Sequence, residues 1–275
     1  MRDPAAFWER TRRSLDRAWS AFRRGAPEGV EALSDALERT GAAARALGDR
    51  RLERRARKVA RRLSKLAALE GSRELLRRVR QLGFLPLEAA ASLDARWEEL
   101  SQALGRRALR RVRGRPMRKL RRALARRAGA GQEDLARRLE RHRRAGRLSP
   151  PAAQADDREL ARYRSAVRRK RAIAAALEEA SGARGGAPLE RDAGIGDALE
   201  RWSRLRRFGK RLERERREAE RRGTVMLALE LDGLICLLEG TLERSRREAL
   251  EAIAAASNVV SFRRRGAENN TRIHS

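Results

Sequence analysis

Apolar residues recur along nearly the whole chain at three- and four-residue steps, and no segment alternates apolar with polar residues as a half-buried strand would. That period predicts an all-α fold. Phe7, Leu15, Ala18, Trp19 and Phe22 form one face of a first helix, which should stop near Gly25-Ala26-Pro27. A second helix is expected over about 30–47, before Gly48-Asp49. A third, over about 51–69, carries Leu52, Ala56, Val59, Leu63 and Leu66 on one stripe and ends at Gly71. Further helices are expected at about 72–83, 87–112, 116–128 and 133–144. Ser149-Pro150-Pro151 marks a strong boundary. Asp156 or Asp157 can cap the next helix, which reaches about Ala180. A Gly-rich loop follows over 181–188, then two long helices over about 195–222 and 224–256. These elements group into helical halves at 1–148 and 155–257, each large enough for a four-helix-type bundle. Residues 258–275 lack periodicity and read as a disordered tail.

The core of such a chain is built from Leu, Ala and Val, because hydrophobic residues make up 41% of the sequence but aromatics only 4%. The four tryptophans, Trp8, Trp19, Trp97 and Trp202, sit at helical spacing beside Leu and Phe, which favours core positions over platforms for stacking nucleobases.

The formal charge is +30, and only Lys58, Lys65, Lys119, Lys170 and Lys210 among its cations are lysines. A GC-rich genome explains arginine in place of lysine. It does not explain the surplus, which costs self-repulsion in a compact fold. Arginine also presents a planar fork that suits phosphate oxygens. A polyanion partner is therefore expected.

The position of the charges sharpens this. Arg51, Arg55, Lys58, Arg62 and Lys65 follow helical steps along one flank of the third helix, and no acid occurs between Arg54 and Lys65. Arg164, Arg168 and Arg171 share a narrow arc beside Leu160, Val167 and Ala174, on a face that should turn toward other helices. Cations there require partners: either acids from neighbouring helices or an anion entering between them. The run from Glu213 to Arg222, by contrast, mixes Glu and Arg at i,i+4 spacing as a solvated lattice does.

The order and pattern of these helices resemble the CHAD family, named for histidines on α-helices. The likeness covers most of the chain. Arg57 to Leu75 looks like that family's basic helix, and Val30 to Asp49 occupies the place of the helix before it. Leu160 to Glu178, Asp197 to Leu205 and Gly233 to Gly240 resemble stretches of the second half. The resemblance implies two pseudo-symmetric bundles around a basic central cavity, non-catalytic binding of inorganic polyphosphate, and site residues Arg164, Arg168 and Arg171, followed by Arg55, Lys58, Arg62, Arg73 and Arg39. The sequence departs from the family at its histidines. Those positions read Glu31, Ala161 and the pair Ser203-Arg204, and Ser34 and Glu38 stand where arginines are expected.

Enzymatic motifs are absent from the sequence: there is no G-x-x-x-x-G-K-[ST] phosphate loop and no H-E-x-x-H. A non-enzymatic protein without a cofactor is expected. The sole cysteine, Cys236, lies in an apolar run and is expected to be buried. The most apolar window, 225–242, is interrupted by Glu230, Asp232 and Glu239 and does not suit a bilayer. With no disulfide framework, a cytoplasmic location is expected. Two rival readings stand beside polyphosphate: nonspecific nucleic-acid binding, and a degenerate scaffold for a protein partner. The scaffold reading predicts that Glu31 and Glu38 neutralise the central arginines.

Overall fold

A computed structural model describes residues 4–26, 28–128, 150–152, 154–181 and 187–272. It is all-helical. The helices are α1 (Pro4–Arg23), α2 (Gly29–Ala46), α3 (Arg50–Gln81), α4 (Leu87–Arg113), α5 (Arg115–Ala128), α6 (Asp157–Ser181), α7 (Ala187–Arg221) and α8 (Val225–Arg272). The helix expected over 133–144 lies outside the described residues.

Capping chemistry fixes several starts. The Asp49 carboxylate accepts from Leu52 N at 2.9 Å and opens α3. At α6, Asp156 Oδ1 accepts from Glu159 N at 2.7 Å and Glu159 Oε2 accepts from Asp156 N at 3.3 Å, a reciprocal capping box. The hairpins α3–α4 and α7–α8 turn at Gly83 (φ 73°) and Gly223 (φ 70°), where a side chain would be strained.

Three boundaries differ from the sequence expectation. Gly71 does not end a helix: α3 is continuous because Leu69 and Leu76 on either side are both buried, and packing outweighs the weak propensity of one glycine. Helix α7 begins at Ala187, ahead of the expected start near 195, and the bounds of α8 run past 257 to Arg272.

Three apolar clusters hold the helices. The first joins α1, α2, the first half of α3, the end of α4, α5, and Ala172, Ile173 and Ala176 of α6. The second joins Leu69 and Leu76 of α3, Leu93 and Trp97 of α4, Phe208 and Leu212 of α7, and Leu231 and Leu234 of α8. The third joins α6, α7 and the later part of α8. Helix α3 is about 48 Å long at 1.5 Å per residue, so its two ends serve different cores. The first and second cores draw on both sides of the Ser149-Pro150-Pro151 boundary, which makes the two halves one packed body. All four tryptophans are buried. Cys236 is exposed, contrary to the expectation of burial, because its face of α8 is not covered by another described helix.

Candidate polyanion site

The arginine arc predicted on α6 does face other helices. Arg164 Nε meets Glu200 Oε2 at 2.9 Å and its Nη1 donates to Ser203 Oγ at 2.8 Å, both on α7. Arg168 Nη2 lies 2.6 Å from Glu38 and 3.8 Å from Asp35, both on α2. Arg171 Nη1 meets Asp197 Oδ1 at 2.9 Å. It reaches across Gly196, where a Cβ would sit 2.4 Å from the guanidinium. On α7, Arg204 pairs with Glu31 at 3.1 Å and Arg207 with Glu200 at 3.3 Å. The seam between α2, α6 and α7 thus sets five arginines against Glu31, Asp35, Glu38, Asp197 and Glu200.

Glu200 is the hub. Burial works against its charge, but Arg164 and Arg168 hold its carboxyl below the usual glutamate value. Burial dominates at Asp35, whose carboxyl stays above the usual value despite Arg168. Arg207 is lowered by burial and by the adjacent Arg164 guanidinium. Local acids therefore supply the partners that the α6 arginines require.

Lys58, Arg62 and Lys65, three of the five cations expected along one flank of α3, have a different environment: with Arg54, Arg57 and Arg61 they form a rail that faces α4 across an open groove of about 620 Å³, while Arg51 and Arg55 of that flank lie outside it. Arg54, Arg57, Lys58, Arg61, Arg62 and Lys65 line one side, Arg107 and Arg111 the other, and Leu66, Leu104 and Ala108 make an aliphatic floor. Among the described residues no carboxylate lines the groove. Arg57 pairs with Glu53, and Arg62 donates to the Arg111 carbonyl in the last turn of α4. The other cations of the groove meet no carboxylate among the described residues. From Arg54 to Lys65 the rail extends about 16 Å along the helix axis.

The remaining expected site residues are dispersed. Arg55 lies between α3 and α5 and reaches the Lys119 carbonyl at 3.5 Å. Arg73 is buried among Asp94 (3.3 Å), Glu70 (3.5 Å) and Glu98. Arg39 lines a second groove between α1 and α2 that also contains Asp16. The structure therefore brings together Arg164, Arg168 and Arg171 in the seam, and Lys58 and Arg62 in the groove. It leaves Arg39, Arg55 and Arg73 apart from both.

Sequence reasoning missed Arg107 and Arg111. Their i,i+4 spacing without an intervening acid was a readable signal, but nothing in the sequence shows that this face of α4 meets the α3 rail. It also missed Glu200, which shares a helix face with Ser203, Arg204 and Arg207.

No family model matches the chain, and no curated protein matches it. Among solved structures it is similar to PptA from Streptomyces chartreusis, with a TM-score of 0.62 over 90% of this chain and 96% of that chain, at 17% identity. At that identity the likeness is one of fold.

Proposed function

We propose that this chain binds inorganic polyphosphate without catalysis, and that the α3–α4 groove is the principal binding surface. One observation carries the reading: among the described residues, eight cations and no carboxylate line the groove. Such a concentration of like charge is self-repulsive unless an external polyanion neutralises it. A flexible phosphate chain suits a charged rail because it needs repeated point contacts and no base recognition. The helix pattern, through its resemblance to the CHAD family, accords with this reading.

Nucleic acid is the second candidate, since its backbone offers the same anion. The groove lining holds no aromatic side chain, and the four tryptophans are buried, so platforms for stacking bases are missing there. Catalysis is not proposed, because the described lining supplies cations and aliphatic carbons but no carboxylate, imidazole, hydroxyl or thiol to work beside them. The seam, already matched by carboxylates, serves cohesion between helices in this reading.

The test is competition. Labelled long-chain polyphosphate bound to the protein is displaced by unlabelled polyphosphate or by single-stranded RNA of equal phosphate concentration. Polyphosphate should displace at least tenfold better by phosphate, and affinity should fall steeply with salt. Equal displacement by RNA would assign the groove to nucleic acid, and salt-insensitive binding would remove the electrostatic mechanism.

A further inference from the structure

The longest stretch of the chain without lysine or arginine runs from Gly223 to Glu243, and another long one runs from Gln81 to Ala95. In a protein of charge +30 these gaps stand out, and the fold brings them together. Leu85, Ala89, Ala90 and Leu93 from the first pack in one core with Leu231 and Leu234 from the second. Seven of the eight large exposed apolar side chains among the described residues belong to these two stretches. At the α3–α4 turn, Leu82 is 68% exposed and Leu87 67%. On α8, Met226, Leu229 and Leu237 are 70%, 60% and 59% exposed. They follow a three- and four-residue spacing with Gly233 and Gly240, which draws one uncharged stripe along the helix.

We infer that this face is a homodimer interface in which α8 packs against α8 of a second copy. Its seven large apolar side chains are each more than half exposed, and apolar side chains gathered in this way, unlike ones scattered singly, mark an interaction site. Charge selects the occupant. An apolar surface made for an anionic membrane carries cations around it, and α8 carries none from Val225 to Glu243. The arginines near the turns are partly engaged: Arg78 pairs with Glu74, and Arg221 and Arg222 with Glu218. Two copies of a +30 protein repel through most of their surface. This cation-free face keeps their arginines away from one another, where salt screens the repulsion over about 8–10 Å. Gly233 and Gly240, with open space at the position of a Cβ, let two helices approach closely. A two-fold axis across α8 sets the stripe against itself, the commonest form of self-association.

The experiment is light scattering on the full chain without polyanion, in moderate salt, over about 1–100 µM. The wild type should pass from monomer to dimer as concentration rises. The double variant Leu229→Arg/Leu237→Arg changes two exposed positions and should stay monomeric, with unchanged helical content and with affinity unchanged for a polyphosphate too short to span two grooves. A bis-maleimide reagent should join wild-type chains in pairs through Cys236, the sole cysteine, and should fail to do so in the double variant. A wild type that stays monomeric throughout overturns the inference. So does a double variant that dimerises like the wild type, or a monomer that sediments with phosphatidylglycerol vesicles through Leu229 and Leu237.

Discussion

Arg62 and Arg73 lie on the same helix and differ in every respect that matters for binding. Arg62 opens on a groove without acids. Arg73 is enclosed by Glu70, Asp94 and Glu98. Removing a guanidinium from such a cluster leaves three carboxylates facing one another, so Arg73→Gln should lower the unfolding free energy by roughly 3 kcal/mol. Urea unfolding reads that loss, and polyphosphate affinity of the folded variant should not change. Acid titration tests the depressed carboxylates. Glu200 and Asp49 both lie below their usual values of 4.5 and 3.8: burial opposes their charge, but Arg164 and Arg168 at Glu200, and the Leu52 N–H and Arg127 at Asp49, outweigh it. Folding therefore favours their ionised forms. Their contribution is complete above those usual values and is lost as pH falls through the lower folded ones. Unfolding free energy should decline as pH falls below about 5, and Glu200→Gln should flatten that decline while lowering stability at neutral pH.

At the scale of helices, two glycines separate backbone contact from mere propensity. A Cβ at Gly29 would lie 2.7 Å from the Phe22 backbone nitrogen, where α1 and α2 meet. At Gly71 it would meet open space. Gly29→Ala should lower the melting temperature, whereas Gly71→Ala should raise stability by about 0.5–1 kcal/mol. Calorimetry on the two variants distinguishes them by sign. The same contrast shows what the sequence can convey. Period alone located α2, α4 and α5 closely, because each is bounded by glycine or proline and carries a clean apolar stripe. It broke α3 at Gly71, since local propensity cannot register that Leu69 and Leu76 anchor a continuous helix in one core. Periodicity assigns faces but not their partners. It placed Arg164, Arg168 and Arg171 on an inward face and offered acids or an anion as the counter-charge. Choosing between them needed the position of Glu200, thirty-two residues beyond Arg168 on another helix. The α3 rail was legible for the same reason that it matters: no acid interrupts it. Its opposite wall was not, because α3 and α4 meet there through tertiary packing.

Across the whole molecule, the surplus of thirty charges is distributed unevenly. Arginines on α7 pair along their own helix, as Arg216 does with Glu220 at 2.6 Å and Arg221 with Glu218 at 2.6 Å. The seam pairs its arginines between helices. The α8 face has no cations, and the α3–α4 groove has no acids. Cations without carboxylate partners thus line a groove where a long anion can lie, and they are absent where a second copy would dock. Dimerisation would give one assembly two grooves and raise its avidity for a chain long enough to span both. In the proposed function the groove, not the seam, meets the anion. The most direct test is the salt dependence of long-chain polyphosphate binding by three proteins: the wild type, a groove variant (Arg61→Gln/Arg62→Gln/Arg107→Gln/Arg111→Gln) and a seam variant (Arg164→Gln/Arg168→Gln/Arg171→Gln). Removing four phosphate contacts should reduce the slope of log affinity against log salt by about 3 in the groove variant. The seam variant should keep the wild-type slope and lose thermal stability instead. A groove variant with the wild-type slope, beside a seam variant whose slope collapses, would contradict the account.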